Sequence, residues 1–323
     1  MGGRSKEPAE QRDGVELTNL DQPLFDDAGV TKRDLVDYLD AVADRLLPGL
    51  RDRPLSVIRA RPGEPPFMQK NLPRYAPGWI ARTEVWAQAS HRTITYPLCQ
   101  DRRTLLWFAN QRAVEFHPTL GRPQDGAVQQ LVIDLDPPQG AAFDAVVAAA
   151  GLVRQALTDA GLSGAVKTSG SKGVHVIVPL AGPTDPADAA AAVRALAVRT
   201  EALDPALVTT AYLLADRGGK VFVDPTRVGG ASLAAAYSPR VRPGLPVSFP
   251  VGWDALGDVQ PGDFTVRTVP GLLPAGVDPW QDQLPAPQAL PADLVEQGHT
   301  IPVPRVAAMH EGKRRAAAAR RGS

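Results

Sequence analysis

Apolar residues recur at helical spacing after Thr31. In KRDLVDYLDAVADRLL, residues Leu35, Tyr38, Leu39, Val42 and Leu46 share one face, Thr31 stands in a capping position, and Pro48 closes the run. Shorter runs at Ser56–Arg59 and Thr93–Tyr96 predict strands, and Thr104–Asn110 predicts a helical turn or two. The most regular pattern lies between about 127 and 224. Gln130–Asp136 reads as an apolar strand ending in acids, and Ala141–Ala160 as a helix closed by Gly161 in the C-cap position. Ala165–Thr168 and Val174–Pro179 predict two short strands around a Gly-Ser-Lys-Gly loop. Thr184 or Asp185 caps a further helix with Pro186 in its first turn, running to about Leu203, and Lys220–Asp224 is another strand. Strands alternating with helices predict an α/β (α+β) fold, with helices packed on a mixed sheet.

Composition refines this picture. With 32 Pro and 29 Gly in 323 residues, short elements and many turns are expected. Residues 1–14 and 309–323 are polar, small or Ala-rich and predict disorder. Between them, 15–308 reads as one compact unit of two lobes, about 15–125 and 126–308, the part after 225 being mainly loops. No run approaches the roughly 20 apolar residues of a membrane span, and the N-terminus has no apolar signal region, so a cytoplasmic location is expected. The single cysteine, Cys99, excludes an internal disulfide and a cysteine-based zinc site. Zero formal net charge argues against a protein that coats DNA non-specifically. Local basic clusters remain at Arg51, Arg53, Arg59 and Arg61, at Arg240 and Arg242, and in the tail.

Candidate chemistry begins with LVIDLDPP. Alternation along a strand points Asp134 and Asp136 to one face, while Ile133 and Leu135 anchor the other. Two carboxylates kept ionised on one face call for a cation, and hard divalent ions such as Mg2+ or Mn2+ take oxygen ligands. Asp224 ends the strand VFVD and supplies a third acid. The D-x-D pair by itself fits a solvated strand end or a turn as well. In KTSGSKGVHVIVP, Gly170 and Gly173 permit close approach to a ligand, and Ser169, Ser171 and Lys172 add donors and charge. His175 projects from the following strand. This is a phosphate-binding composition, though not a P-loop, and a plain tight hairpin remains the alternative.

The order of these motifs is more specific than any one of them. D-x-D is followed by TSGSKGxHV, then VFVD, then YSPRVRPG and a Trp-Asp pair, Trp253 and Asp254. This resembles the polymerase domain of bacterial DNA ligase D, in the archaeo-eukaryotic primase superfamily. LTNLDQPLFDDAGVTKRDLVDYL, RDRPLSVIRARPG, PFMQKN and AVEFHP extend the resemblance over about residues 15–270. It implies a two-lobed primase-like catalytic unit, a monomer and a nucleotidyltransferase of DNA repair and end joining, with two Mn2+ or Mg2+ ions held by Asp134, Asp136 and Asp224. It implies that Ser169, Lys172 and His175 hold the phosphates of a nucleoside triphosphate, and that His117, Arg217 and Arg240 also contact the nucleotide. Phe67 would stack on template bases, and Asn19 and Lys32 would grip the 5′-phosphate of gapped or broken DNA. A separate DNA ligase and a DNA-end-binding protein are implied partners in the nucleoid, with no membrane.

The chain departs from that pattern. Gln22 stands where a Lys is usual, YLLAD lacks a Lys before Arg217, and Met68 replaces a second aromatic. Thr226-Arg227 replaces a Gln-Asn pair in a loop one residue shorter. These departures point to a divergent, stand-alone relative, and with no K-x-D-G ligase motif the chain is not expected to seal nicks in that family's manner. Two alternatives stay open: a gap- or end-binding module without polymerase activity, and a D-x-D nucleotide-sugar glycosyltransferase.

Overall fold

The computed structural model describes residues 10–87, 91–124, 126–228 and 231–303. Residues 1–9 and the basic tail 309–323, both read as disordered, lie outside the described residues. Residues 10–14 of that N-terminal stretch are ordered differently from expectation, because Gln11–Arg12 (β1) pairs with Val15–Glu16 (β2). The chain forms two compact units that do not divide at a single point near 125. Segments 234–249 and 262–278 belong with the first unit, and 250–261 and the residues from 279 on belong with the second.

In the first unit, Thr31 and Asp34 form a capping box that starts α1 (Lys32–Ala41). The expected single helix is broken at Val42 and resumes as α2 (Ala43–Leu50), with Pro48 inside it rather than ending it. Burial of Leu46, Leu47 and Leu50 holds that last turn in place of the bond Pro48 cannot donate. Strands β3 (Leu55–Arg61), β4 (Glu64–Gln69), β5 (Arg82–Ala87) and β6 (Arg92–Pro97) follow. Asp101 caps α3 (Arg102–Asn110) by accepting from the Thr104 N–H, and β7 (Ala113–Pro118) completes a sheet of order β4-β3-β7. β5 and β6 form a separate hairpin.

The second unit is built on β8 (Val128–Asp136), α4 (Phe143–Asp159), β9 (Ala165–Thr168), β10 (Val174–Thr184), α5 (Pro186–Leu203), β11 (Val208–Thr209) and β12 (Val221–Asp224). The strand order is β11-β12-β8-β10-β9, with β11 parallel to β12 and the other pairs antiparallel. The mixed sheet flanked by helices is as expected from the alternation of elements. α4 buries Val146, Ala149, Ala150, Val153, Ala156 and Leu157, the stripe of an amphipathic helix. α4 and α5 pack on β8 and β12, and α4 also on β10. On the other face Val132 and Ile177 pack with Leu120 and Leu233, and Trp280 and Leu284 cover them. β10 runs five residues beyond Pro179, with an irregular register from there to Thr184.

Short helices α6 (Val269–Leu272, first unit) and α7 (Pro279–Gln283, second unit) precede α8 (Ala292–Thr300). The stretch after 225 therefore carries an ordered helix as well as loops, and α8 packs on α5. Gly298 makes that contact possible, since a Cβ there would lie 1.9 Å from the Ala191 carbonyl oxygen. No helix among the described residues is long and apolar enough to cross a membrane.

Gly298→Ala should separate α8 from α5, because the clash is with backbone and no rotamer relieves it. We expect a loss of at least about 2 kcal/mol, read by chemical denaturation. An unchanged midpoint would show that α8 does not depend on this approach.

Candidate active site

The register of the five-stranded sheet aligns four polar residues. Asp134 of β8 lies opposite His175 of β10 on one side and opposite Asp224 of β12 on the other. His175 in turn lies opposite Lys167 of β9. Directly opposed residues share a face, so Lys167, His175, Asp134 and Asp224 form one row across the strands. All four are buried. Lys167 Nζ lies 2.7 Å from His175 Nδ1, and His175 Nε2 lies 3.5 Å from Asp134 Oδ1. With the ammonium donating to Nδ1, the imidazole proton faces Asp134. Asp136 lies two residues along the same face, half-buried, and opposite Phe222.

Residues just past β12 close over these acids. Asp224 Oδ1 accepts from both the Thr226 N–H at 2.8 Å and the Thr226 hydroxyl at 2.6 Å. Arg227 Nε lies 3.1 Å from Asp134 Oδ2 and 3.2 Å from Asp224 Oδ2. Burial, then the negative charge of Asp136, pushes the Asp134 carboxyl up to about 7, with Asp224 adding to the rise and Arg227 opposing it. Among the described residues, no three His, Cys, Asp or Glu side chains are placed to hold a metal ion together.

The loop between β9 and β10 is tightly wound on itself. The Ser169 hydroxyl accepts from the N–H groups of Ser171 (3.2 Å) and Gly173 (3.1 Å), so these two donors point into the loop rather than out to an anion. Gly173 is required here because a Cβ would sit 2.3 Å from the Leu135 carbonyl oxygen. Lys172 is exposed and its ammonium donates to the Pro137 carbonyl at 2.6 Å, tying the loop to the end of β8. Arg217 lies with its guanidinium carbon 3.6 Å from the Phe222 ring centre and donates to the carbonyls of Ala211 and Tyr212. It therefore stacks on the residue that opposes Asp136.

The first unit holds the other candidates. His117 and Arg240 meet on Glu115, a buried acid that the motif reading passed over. Glu115 Oε2 lies 2.7 Å from His117 Nε2 and 2.9 Å from Arg240 Nε, and Oε1 accepts from the Val241 N–H at 2.8 Å. Burial alone would raise the Glu115 carboxyl, but these partners hold it down at about 2. Phe67 is exposed on β4, with the guanidinium carbons of Arg59 and Arg61 each 5.7 Å from its ring centre. Asn19 is exposed in the left-handed region. Lys32 is buried, and its ammonium donates to the Asn110 side chain at 2.6 Å and to the Thr18 carbonyl. Burial, with help from Arg112, lowers the Lys32 ammonium to about 8. Gln22 is engaged by Arg112, which donates to its Oε1 at 2.9 Å.

Lys167 and Arg227 also escaped the motif reading of the site. A lysine inside VKTSG carries no mark of a functional role, because its partner is set by strand pairing. Arg227 was visible as a departure from the family pattern, but its contact with the acids depends on how the loop folds back.

A mixed sheet flanked by helices, with acids at the ends of its middle strands, is the fold of a LigD-type polymerase domain, as the comparisons with known proteins show. The family model of the LigD primase-polymerase domain matches residues 31–280. The multifunctional non-homologous end joining DNA repair protein LigD of Mycobacterium tuberculosis is 37% identical over 264 residues, covering 77% of this chain and 34% of that protein. The bifunctional LigD of Bacillus subtilis is 31% identical over 287 residues, covering 87% of this chain and 46% of that protein. The solved polymerase domain of M. tuberculosis ligase D in complex with DNA matches with a TM-score of 0.76 at 34% identity. That match covers 85% of this chain and 100% of the solved one. The chain belongs to the LigD primase-polymerase domain family, a family of nucleotidyltransferases. It spans about a third of the length of the mycobacterial relatives and under half of the Bacillus one. The glycosyltransferase alternative falls with this membership.

Glu115 offers a test of the first unit's polar cluster. Its carboxyl is depressed, so its contribution is full above the ordinary value of 4.5 and disappears as the pH falls through about 2. Glu115→Gln should cost on the order of 2–3 kcal/mol at neutral pH. The difference between wild type and variant, followed by denaturant titration, should narrow through that acid window. A gap independent of pH would show that the charge of Glu115 is not what holds His117 and Arg240.

Proposed function

We propose that this chain is a template-dependent repair primase-polymerase, adding nucleotides to a primer 3′-hydroxyl at short gaps or breaks in DNA. The observation that carries this is the cross-strand row ending on Asp134 and Asp224, with Asp136 beside it, in a chain of this family. The donor set suits a hard divalent ion: Asp134, Asp136 and Asp224 are three carboxylates gathered at one end of a sheet. Two ions, Mn2+ or Mg2+, would be held by Asp134, Asp136 and Asp224 and would supply charge neutralisation on the triphosphate and activation of the hydroxyl.

The protein's own groups do the positioning. His175, its tautomer set by Lys167, orients Asp134 and faces the phosphates, with Ser169 and Lys172 shaping the adjoining loop. Arg217 and Arg240 would add positive charge, and His117 a hydrogen-bonding group, for the nucleotide. Phe67 with Arg59 and Arg61 presents a stacking surface flanked by cations, suited to unpaired template bases and their phosphates. Asn19 and the neighbouring Lys32 serve the 5′-phosphate side, where Lys32 must leave its Asn110 contact to reach an anion. A DNA ligase and a DNA-end-binding protein would act with it at the break, in the nucleoid. Ribonucleotides are accepted in this reading.

Primer extension on gapped and recessed DNA, with Mn2+ or Mg2+ and with ribo- or deoxynucleotides, tests the assignment. Wild type should extend the primer. Asp134→Ala and Asp136→Ala should each lower the rate at least about a hundredfold while circular dichroism shows a retained fold. Full activity in either variant would sink the metal assignment. A second reading, a gap-binding module without catalysis, draws support from Arg227 lying on two of the acids. DNA binding without extension under any of these conditions would establish it instead.

A further inference from the structure

Arg227 occupies the oxygens that a metal ion bound between Asp134 and Asp224 would take. The two aspartates face each other across the β8–β12 pair, and the same guanidinium nitrogen sits 3.1 Å from Oδ2 of one and 3.2 Å from Oδ2 of the other. The other Asp224 oxygen is already used, accepting two hydrogen bonds from Thr226. A divalent ion on this pair and a guanidinium in contact with it repel each other strongly at such separations. The arginine is also free to leave. Its side chain is 40% exposed, whereas those of Asp134 and Asp224 are 8% and 9% exposed. Among the described residues its terminal nitrogens make no hydrogen bond that would tether it, and it stands on a loop beyond the sheet.

We propose that Arg227 is a resident cation that neutralises Asp134 and Asp224 in the metal-free protein and competes with the divalent ion for them. It thereby sets the metal affinity of the site, and metal entry displaces its side chain outward. The acids stay paired in both states, so the buried carboxylates are never left without a counter-charge. This inference rests on the metal-site reading above.

Direct binding of Mn2+ to the full chain, without nucleotide or DNA, tests it by the electron paramagnetic resonance signal of the free ion. Arg227→Asn should bind Mn2+ at least about tenfold more tightly than wild type, the scale of removing one charge a few ångströms from the ion. Arg227→Lys should fall between the two, and Asp134→Ala should lose the binding. In chelator Arg227→Asn should melt below wild type, and it should gain more from added Mn2+ than wild type gains. Equal or weaker Mn2+ binding by Arg227→Asn, with binding still lost in Asp134→Ala, would overturn the competition while leaving the metal site standing. If Arg227→Asn does not fold, Arg227→Gln, which also removes the charge, binding Mn2+ no more tightly than wild type overturns it equally. Binding unaffected by Asp134→Ala would remove the metal site itself, and the inference with it.

Discussion

The register of β8 between β10 and β12 is the constraint on which this site depends. Side chains alternate faces along a strand, so a slip by one residue would turn Asp134 and Asp136 toward the helices and bring Ile133 and Leu135 to the polar end. The apolar side resists that slip. α4 and α5 pack against β8, and Val132 and Ile177 are held from the other face by Leu120 and Leu233. The same pairing that buries these apolar groups places His175 and Asp224 on either side of Asp134. Precision at the acids is therefore a by-product of packing farther along the strand.

Such a row raises an electrostatic problem, because buried carboxylates without partners are costly. The protein places cationic groups beside the acids, with Lys167 behind His175 on one side and Arg227 across Asp134 and Asp224 on the other. Asp134 remains the strained member, its carboxyl pushed up to about 7 by burial and acidic neighbours despite Arg227. The first unit solves a similar problem more completely. Glu115 receives His117, Arg240 and a backbone N–H, and its carboxyl is held down at about 2. The contrast separates a site short of positive charge, suited to admitting a cation, from one already satisfied.

The phosphate-type loop shows how composition and geometry diverge. Its Gly, Ser and Lys content suits an anion, yet the Ser169 hydroxyl takes two of the loop's own N–H groups and Lys172 reaches back to Pro137. The loop as it stands is a brace that holds β9, β10 and the end of β8 together. Gly173 matters for the same reason, since its backbone lies directly against Leu135.

The amino-acid order alone carries the elements of the second unit, their mixed α/β character, the family, and the common face of Asp134 and Asp136. These follow from local periodicity, caps and motif order, which short stretches of chain carry. It could not show that α2 runs through Pro48, since burial of Leu46, Leu47 and Leu50 outweighs the proline's local preference. It also could not show that segments 234–249 and 262–278 return to the first unit, because that depends on contacts between distant residues. Tertiary structure alone decided that Lys167 stands behind His175, that Glu115 gathers His117 and Arg240, that Lys32 is buried, and that Arg227 lies on two aspartates. Most of these contacts join residues on different elements, and all are fixed by register and packing.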